Sequence, residues 1–402
     1  MIDFTQAPLK FWLCARISFV IFQERGKTFL KKIAPRENYA VSNPGNHLRH
    51  LWKAVLLSKA LALLPVSARE IIPDNSKTFS LKNQDQMIEY INQVQSSWKA
   101  GKNFHDDTPS DYLRRLASAW ISEEKLLLDT HEDGSEVTTY TSADPPAEFD
   151  ARKKWTNCPS VAHIYDQGSC GSCWAVAVAS VVTDKICIAS KGAWKDWISS
   201  WDIASCCVGG EKCGAGCDGG RPDKAFEYYV KKGIPTGGEV GSNQGCMPYE
   251  IKGCSHHMGD KGKFPNCRSY NETVVPTCVK ECPNKSYKTP LNKDRHFGKR
   301  VYHVKVGDAK KELSEIGPCT MSFQIYEDFY LYKSGVYKHV TGAHIGGHVV
   351  RVLGYGTENG VGYWLCANSW NPEWGDNGLF KIIAGTNDCN CEQYFYTAEP
   401  KL

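Results

Sequence analysis

The sequence predicts an α+β protein, with helical pattern before residue 200 and strands after residue 300. Three observations carry this. Apolar residues recur at helical spacing between Ser80 and Trp120. The stretch Asp166–Ala175 reads as a loop feeding a buried helix through the apolar run Val176–Val182. From Val301 onward the chain is rich in Val, Tyr and Ile, and Glu358-Asn359-Gly360 is a strong hairpin signal between two such runs. With 402 residues, 42% hydrophobic and 11% aromatic, the chain can bury a large core and hold two or three domains.

In the first helical region Met87, Ile91, Val94 and Trp98 form one stripe. Tyr112, Leu113, Leu116, Ala119 and Trp120 form a second after Thr108-Pro109. Asp129–Ala143 is acidic, polar and Thr-rich, the composition of a linker. No internal repeat or low-complexity tract interrupts the chain.

Forty-eight basic against 44 acidic residues leave a formal charge of +4, and no basic stripe is interleaved with aromatics, so nucleic acid is not an expected partner. Eighteen cysteines, most of them between Cys158 and Cys282, point to an oxidising compartment or to metal. Leu51–Ala68 is patterned as a signal peptide, with Arg49, His50 and Lys53 as its basic flank and Val66-Ser67-Ala68 as a cleavage site. It begins some fifty residues into the chain and Lys59 interrupts it, which leaves residues 1–47 readable as an extension or as a gene-model artefact. Phe11–Phe22, broken by Arg16, falls short of the roughly 20 residues a membrane span needs, so no membrane anchor is expected.

Cys173 begins the apolar run, where unpaired N–H groups and the helix dipole favour an anion; its thiol is expected to ionise below the free value of roughly 8.5. Two other readings of Cys170-Gly171-Ser172-Cys173 are a redox pair and a structural disulfide scaffold. Cys206, Cys207, Cys213 and Cys217 lie close enough to read as a zinc site or as disulfides. A nucleophilic thiol requires a base, and the base requires a group that holds its ring. His348 precedes the hairpin turn and Asn368 follows it, so both fall toward one end of the hairpin. His348 would take the thiol proton and later return it to the leaving amine, while Asn368 fixes its tautomer. Gln167, six residues before Cys173, can join the Cys173 N–H as an oxyanion donor, and Trp370 would shield the His–Asn contact. This chemistry needs no metal and no cofactor.

Cys170-Gly171-Ser172-Cys173-Trp174 matches the signature around the nucleophile of papain and the cathepsins. Ser97–Phe104 matches the Trp-x-Ala-Gly-x-Asn-Phe of the cathepsin B propeptide, and Pro146–Arg152 resembles the start of the mature enzyme. From residue 85 to 400 the chain therefore resembles cathepsin B-like proteases of the papain family. His348 follows Cys173 by 175 residues, beyond the roughly 130–150 usual in the wider family, and the excess corresponds to the Cys-rich segment 246–290.

The resemblance implies a papain-like two-domain fold: a helical left domain and an antiparallel β-barrel right domain, with the cleft between Cys173 and His348. It implies an extension and signal segment over 1–70, an inhibitory propeptide over 71–143, a mostly left-domain portion over 144–290 and a mostly right-domain portion over 291–402. It pairs Cys158 with Cys187, Cys170 with Cys217, Cys206 with Cys278, Cys207 with Cys213, Cys246 with Cys282, and Cys254 with Cys267. Cys14, Cys319, Cys366, Cys389 and Cys391 are left over. His256 and His257 would sit on a disulfide-closed occluding loop over the primed end of the cleft, although adjacent histidines are ordinarily solvated loop residues. Gly219, Gly220, Arg221, Pro222, Ser322, Val349 and Tyr394 would line the second specificity pocket. There Tyr394 stands where the vertebrate enzyme has a glutamate and Arg221 where it has a tyrosine, which predicts poor acceptance of arginine. Asn271 and Asn284 head glycosylation sequons.

The expected function is a papain-type endopeptidase made as a zymogen, lysosomal or secreted, monomeric, with peptidyl-dipeptidase activity. Its expected partners are protein and peptide substrates, its own propeptide and cystatin-type inhibitors. The alternatives are a catalytically silent homologue acting as a binding protein and a zinc- or redox-type module.

Overall fold

A computed structural model describes residues 81–121, 140–141, 144–209, 213–255, 264–265 and 277–402. The signal-like stretch, most of the linker, His256, His257, Cys267 and Asn271 lie outside these residues.

The first stripe forms helix α1, Gln84–Val94, which buries Met87 and Ile91. Its chain continues into strand β1, Trp98–Ala100, and helix α2, Ser110–Leu116, which buries Tyr112, Leu113 and Leu116. The second stripe is shorter than its spacing predicts. The helix stops at Leu116, and Trp120 is 45% exposed. The cause is tertiary: the Ala119 N–H donates to the Gly347 carbonyl at 2.8 Å and the Trp120 N–H to that of Gly220 at 2.9 Å, which draws the chain out straight.

Strand β2, Phe149–Asp150, leads into helix α3, Ala151–Lys154, whose N-cap Asp150 accepts from the Arg152 N–H. Helix α4, Pro159–Ala162, precedes helix α5, Cys173–Ala189, which is buried from Cys173 to Cys187 because its neighbours surround it. Helices α6, Ser200–Cys206, and α7, Pro222–Lys232, pack against α5.

The strands follow as β3, Gly298–Val304; β4, Cys319–Tyr326; β5, Tyr332–Tyr337; β6, His344–Glu358; β7, Val361–Ala367; β8, Leu379–Ile383; and β9, Phe395–Pro400. Hydrogen bonds order them β1-β5-β8-β7-β6-β4-β9-β3, with β2 also on β6. Only the β5–β8 pair among them is parallel. This is the α+β class that the sequence predicts. At the β6–β7 turn Asn359 and Gly360 both have positive φ, 51° and 81°, as a tight hairpin that follows the sheet twist requires.

The two ends of residues 145–402 cross over between the helices and the strands. Phe149 pairs with Tyr355 of β6, while Tyr396 and Ala398 of β9 pack into the core built by α5 and α7. A second core, under β4 to β8, is shared with Met87, Ile91, Trp98, Phe104 and Leu116 from the N-terminal segment. Among the described residues no helix is long and apolar enough to cross a membrane.

Five bridges join Cys158 to Cys187, Cys170 to Cys217, Cys206 to Cys278, Cys207 to Cys213 and Cys246 to Cys282, with Cα separations of 4.6 to 5.8 Å. Cys254 is disulfide-bonded too. Cys206, Cys207, Cys213 and Cys217 therefore have no thiolate to offer zinc, and Cys170 is not paired with Cys173. Cys173, Cys319, Cys366, Cys389 and Cys391 are free thiols.

Candidate active site

Cys173 is the first residue of α5 and is fully buried. The N–H groups of Val349, Ser118 and Trp174, and its own, lie near its sulfur and favour the thiolate. Val349 follows His348 on β6, so the helical wall and the strand wall meet at this sulfur. The thiol is nevertheless pushed up to about 11, because burial outweighs those N–H groups. The lowered value expected from the helix N-terminus is thus reversed in this state. The physical reason is the segment Leu116–Ile121, which covers the sulfur and excludes water from it.

The His348 ring is also fully buried, and burial pushes it down to about 4, against its hydrogen bond to Asn368 and the neighbouring Leu116 carbonyl, both of which favour its charged form. Asn368 Oδ1 accepts from the Ser369 N–H at 2.8 Å and lies 2.8 Å from His348 Nε2. Since an amide oxygen only accepts, Nε2 carries the hydrogen and Nδ1 is the basic nitrogen. Trp370 is buried over this contact, its ring centroid 4.9 Å from that of His348.

Gln167 Nε2 donates to the Cys170 carbonyl at 2.8 Å and to the Leu116 carbonyl at 3.3 Å. Its Oε1 accepts from Ser369 Oγ at 2.7 Å, which fixes which way the amide faces. A peptide carbonyl, that of Leu116, therefore lies between an amide donor and an imidazole, beside a thiol. The arrangement can do acyl-transfer chemistry once a scissile peptide replaces that segment.

Glycines let the covering segment approach. A Cβ on Gly219, whose φ is +107°, would stand 2.0 Å from the Ser118 carbonyl oxygen, and one on Gly347 would stand 2.4 Å from that of Ala119. Gly220 exchanges backbone hydrogen bonds with the same segment, donating to the Ser118 carbonyl at 3.3 Å.

Pro222 opens α7, and Arg221 before it places its guanidinium fork on Asp223 at 2.9 and 3.2 Å. Ser322 and Val349 face each other across β4 and β6, both buried. Tyr394 packs against the helical core that also holds Ala119, Cys173 and Val349. Glu392 turns away, accepting from Trp364 Nε1 and the N–H groups of Gly385 and Asn387. Of the second sequon, Asn284 Nδ2 donates to the carbonyls of Asn243 and Gly245, both at 2.8 Å.

Sequence reasoning missed Ser369, Tyr249 and Asp166 around this site. Tyr249 bonds Ser172 and Gln167. Asp166, pushed up to about 7 by burial, accepts from the Gly168 N–H and from Asn371 Nδ2, which also reaches the Cys254 carbonyl. Only Ser369, inside Asn368-Ser369-Trp370, had a sequence cue.

The family model described as "Papain family cysteine protease" matches residues 145–398, and "Peptidase family C1 propeptide" matches residues 83–117. The chain belongs to the papain family of cysteine proteases. The segment that covers Cys173 therefore begins at the end of a papain-family propeptide. Cathepsin B-like cysteine proteinase 4 of Caenorhabditis elegans is 41% identical over 85% of this chain and 98% of its own length. Cathepsin B-like cysteine proteinase of Schistosoma japonicum is 40% identical over 77% of this chain and 88% of its own. The structure of procathepsin B S9 from Trypanosoma congolense superimposes with a TM-score of 0.65 at 33% identity, covering 79% of this chain and 97% of that one. The chain is a cathepsin B-like papain-family protease carrying its propeptide.

Proposed function

We propose that the mature enzyme hydrolyses peptide bonds through Cys173, His348 and Asn368. His348 Nδ1 accepts the thiol proton, the thiolate attacks the scissile carbonyl, and His348 returns the proton to the leaving amine. Gln167 Nε2 and the Cys173 N–H hold the tetrahedral oxyanion. One observation carries this reading: the Leu116 carbonyl already accepts from Gln167 Nε2 at 3.3 Å, beside the buried thiol and imidazole. The propeptide thereby keeps the thiol protonated and the imidazole neutral, so the zymogen is silent.

His256 and His257, on the loop that leaves Cys254, bind the terminal carboxylate of a substrate and direct release of dipeptides, best at acid pH where an imidazolium forms. The second specificity pocket favours aliphatic or aromatic residues over arginine, since Tyr394 supplies no carboxylate. Arg221 is neutralised by Asp223, which removes a lone cation and with it any gain for acidic residues. Propeptide cleavage falls between Leu128 and Ala143. The enzyme acts in a lysosome or outside the cell, as a monomer, and is open to cystatin-type inhibitors.

Acid-processed enzyme is assayed on peptides with free and amidated C-termini, beside Cys173→Ala and His256→Ala/His257→Ala. Cys173→Ala should abolish both activities, and the double variant should lose dipeptide release while keeping endopeptidase cleavage. Activity retained by Cys173→Ala would refute the reading.

A further inference from the structure

Gln167 and Cys173 stand six residues apart on an irregular loop, and their two donors must converge on one oxygen. Tyr249, from the Cys-rich segment, reaches into that loop from outside it. Its hydroxyl donates to the Gln167 carbonyl at 2.8 Å and lies 2.5 Å from Ser172 Oγ. A phenol has a single hydrogen, and a carbonyl can only accept. The hydrogen therefore goes to Gln167, and Ser172 Oγ–H must donate to the Tyr249 oxygen. The result is a directed chain, Ser172 to Tyr249 to Gln167, in which each bond polarises the next. Burial pushes the phenol of Tyr249 up, so it keeps its hydrogen throughout the working range.

The chain has a second consequence at the helix. Ser172 occupies the N-cap of α5, where a serine oxygen ordinarily accepts from an N–H of the first turn. Here the side chain makes no capping bond. The Ser172 carbonyl serves the Ala175 and Val176 N–H groups instead. With its hydroxyl held by Tyr249, Ser172 leaves the Trp174 N–H uncapped.

We propose that Tyr249 is a positioning residue for the oxyanion hole: it clamps the Gln167 main chain to Ser172, aligning the Gln167 amide with the Cys173 N–H. Its own atoms touch no substrate. The proposal rests on the catalytic roles given above to Cys173 and Gln167.

The test compares acid-processed wild type with Tyr249→Phe, each normalised to active thiol by titration. Removing one oxyanion donor outright costs roughly 100- to 1,000-fold in kcat, so misaligning one should cost about 10-fold. KM should stay constant, and a peptide aldehyde, whose bound hemithioacetal places an oxygen in the hole, should bind about 10-fold more weakly. The rate of thiol alkylation by iodoacetamide, which needs no oxyanion hole, should be unchanged. A purely structural role would lower the titratable thiol and leave kcat per site and aldehyde affinity as they are; that result overturns the proposal. If Tyr249→Phe gives no folded enzyme, Ser172→Ala breaks the other end of the chain at the cost of one oxygen. It should weaken the aldehyde roughly 3-fold with KM constant, and unchanged aldehyde affinity would overturn the clamp. An inactive wild type with no alkylatable Cys173 would refute the catalytic reading itself, a different outcome.

Discussion

The propeptide holds the protease in two unlike ways. Its first part, from α1 through α2, is an anchor. Met87, Ile91, Trp98, Phe104 and Leu116 are almost wholly buried in the core under the strands, and β1 extends the sheet edge at β5. Asn103 Nδ2 bridges the carbonyls of Tyr330 and Tyr332 at 2.8 Å each, and Trp98 Nε1 donates to that of Lys338. The second part, Ala117–Ile121, is a strap, held largely by backbone hydrogen bonds to the glycine-lined cleft. Apolar burial supplies most of the affinity and does not titrate. The strap, together with the Leu116 carbonyl at its start, does the inhibiting and covers two groups whose charge depends on pH. Affinity and inhibition thus reside in different segments.

The largest expected effect comes from breaking the anchor. Trp98→Ala removes a buried indole, a loss of about 3–5 kcal/mol. The uncleaved variant should hydrolyse a small peptide at neutral pH, and its melting temperature should fall. Continued latency would mean that the strap suffices alone.

The second effect is a pH dependence. With the strap in place His348 is held down at about 4, against an ordinary value of 6.5. Once the strap leaves, the ring can take a proton near its ordinary value. Docking therefore weakens as pH falls from 6.5 through 4, by up to about 3 kcal/mol. Cys173 acts from the other side: docking holds it near 11, so docking also weakens as pH rises past its ordinary value of 9. Alkylation of Cys173 in the intact chain, divided by that in the mature enzyme, should pass through a minimum between pH 6.5 and 9. A ratio flat from pH 4 to 8 would contradict the role given to His348.

A smaller effect should follow from loosening the strap alone. Ala119→Pro removes the N–H that bonds Gly347, worth about 1 kcal/mol net. Basal activity of the intact chain should rise by roughly 5-fold with little change in melting temperature. A fall in melting temperature as large as that of Trp98→Ala would erase the distinction between strap and anchor.

The smallest effect on latency should be that of Tyr394→Glu, which lies outside the propeptide. It should raise the ratio of kcat/KM for P2-Arg over P2-Val peptides by roughly 10-fold and leave latency unchanged. An unchanged ratio would remove Tyr394 from the specificity pocket.

Much of this was readable because it is periodic or local. Met87 and Ile91 betray α1 by spacing, and Asn359-Gly360 betrays the hairpin by its backbone demand. That hairpin brings His348 and Asn368 to one end of the sheet. The second stripe misleads, since Ala119 and Trp120 keep helical spacing while the cleft draws them straight. The state of the Cys173 thiol also escapes a local argument. A helix N-terminus can be seen in sequence, but the burial that outweighs it comes from residues more than fifty positions upstream. A single hydroxyl such as that of Tyr249 leaves no pattern, because one hydrogen bond requires only one residue.

The central claim is that Cys173 is a nucleophile silenced by the strap. Labelling with an epoxysuccinyl inhibitor of thiol proteases tests it most directly. The intact chain at pH 7 should take up little label, the acid-processed enzyme should take up one equivalent at Cys173, and Cys173→Ala should take up none. Full labelling of the intact chain at pH 7, or none after processing, would contradict the account.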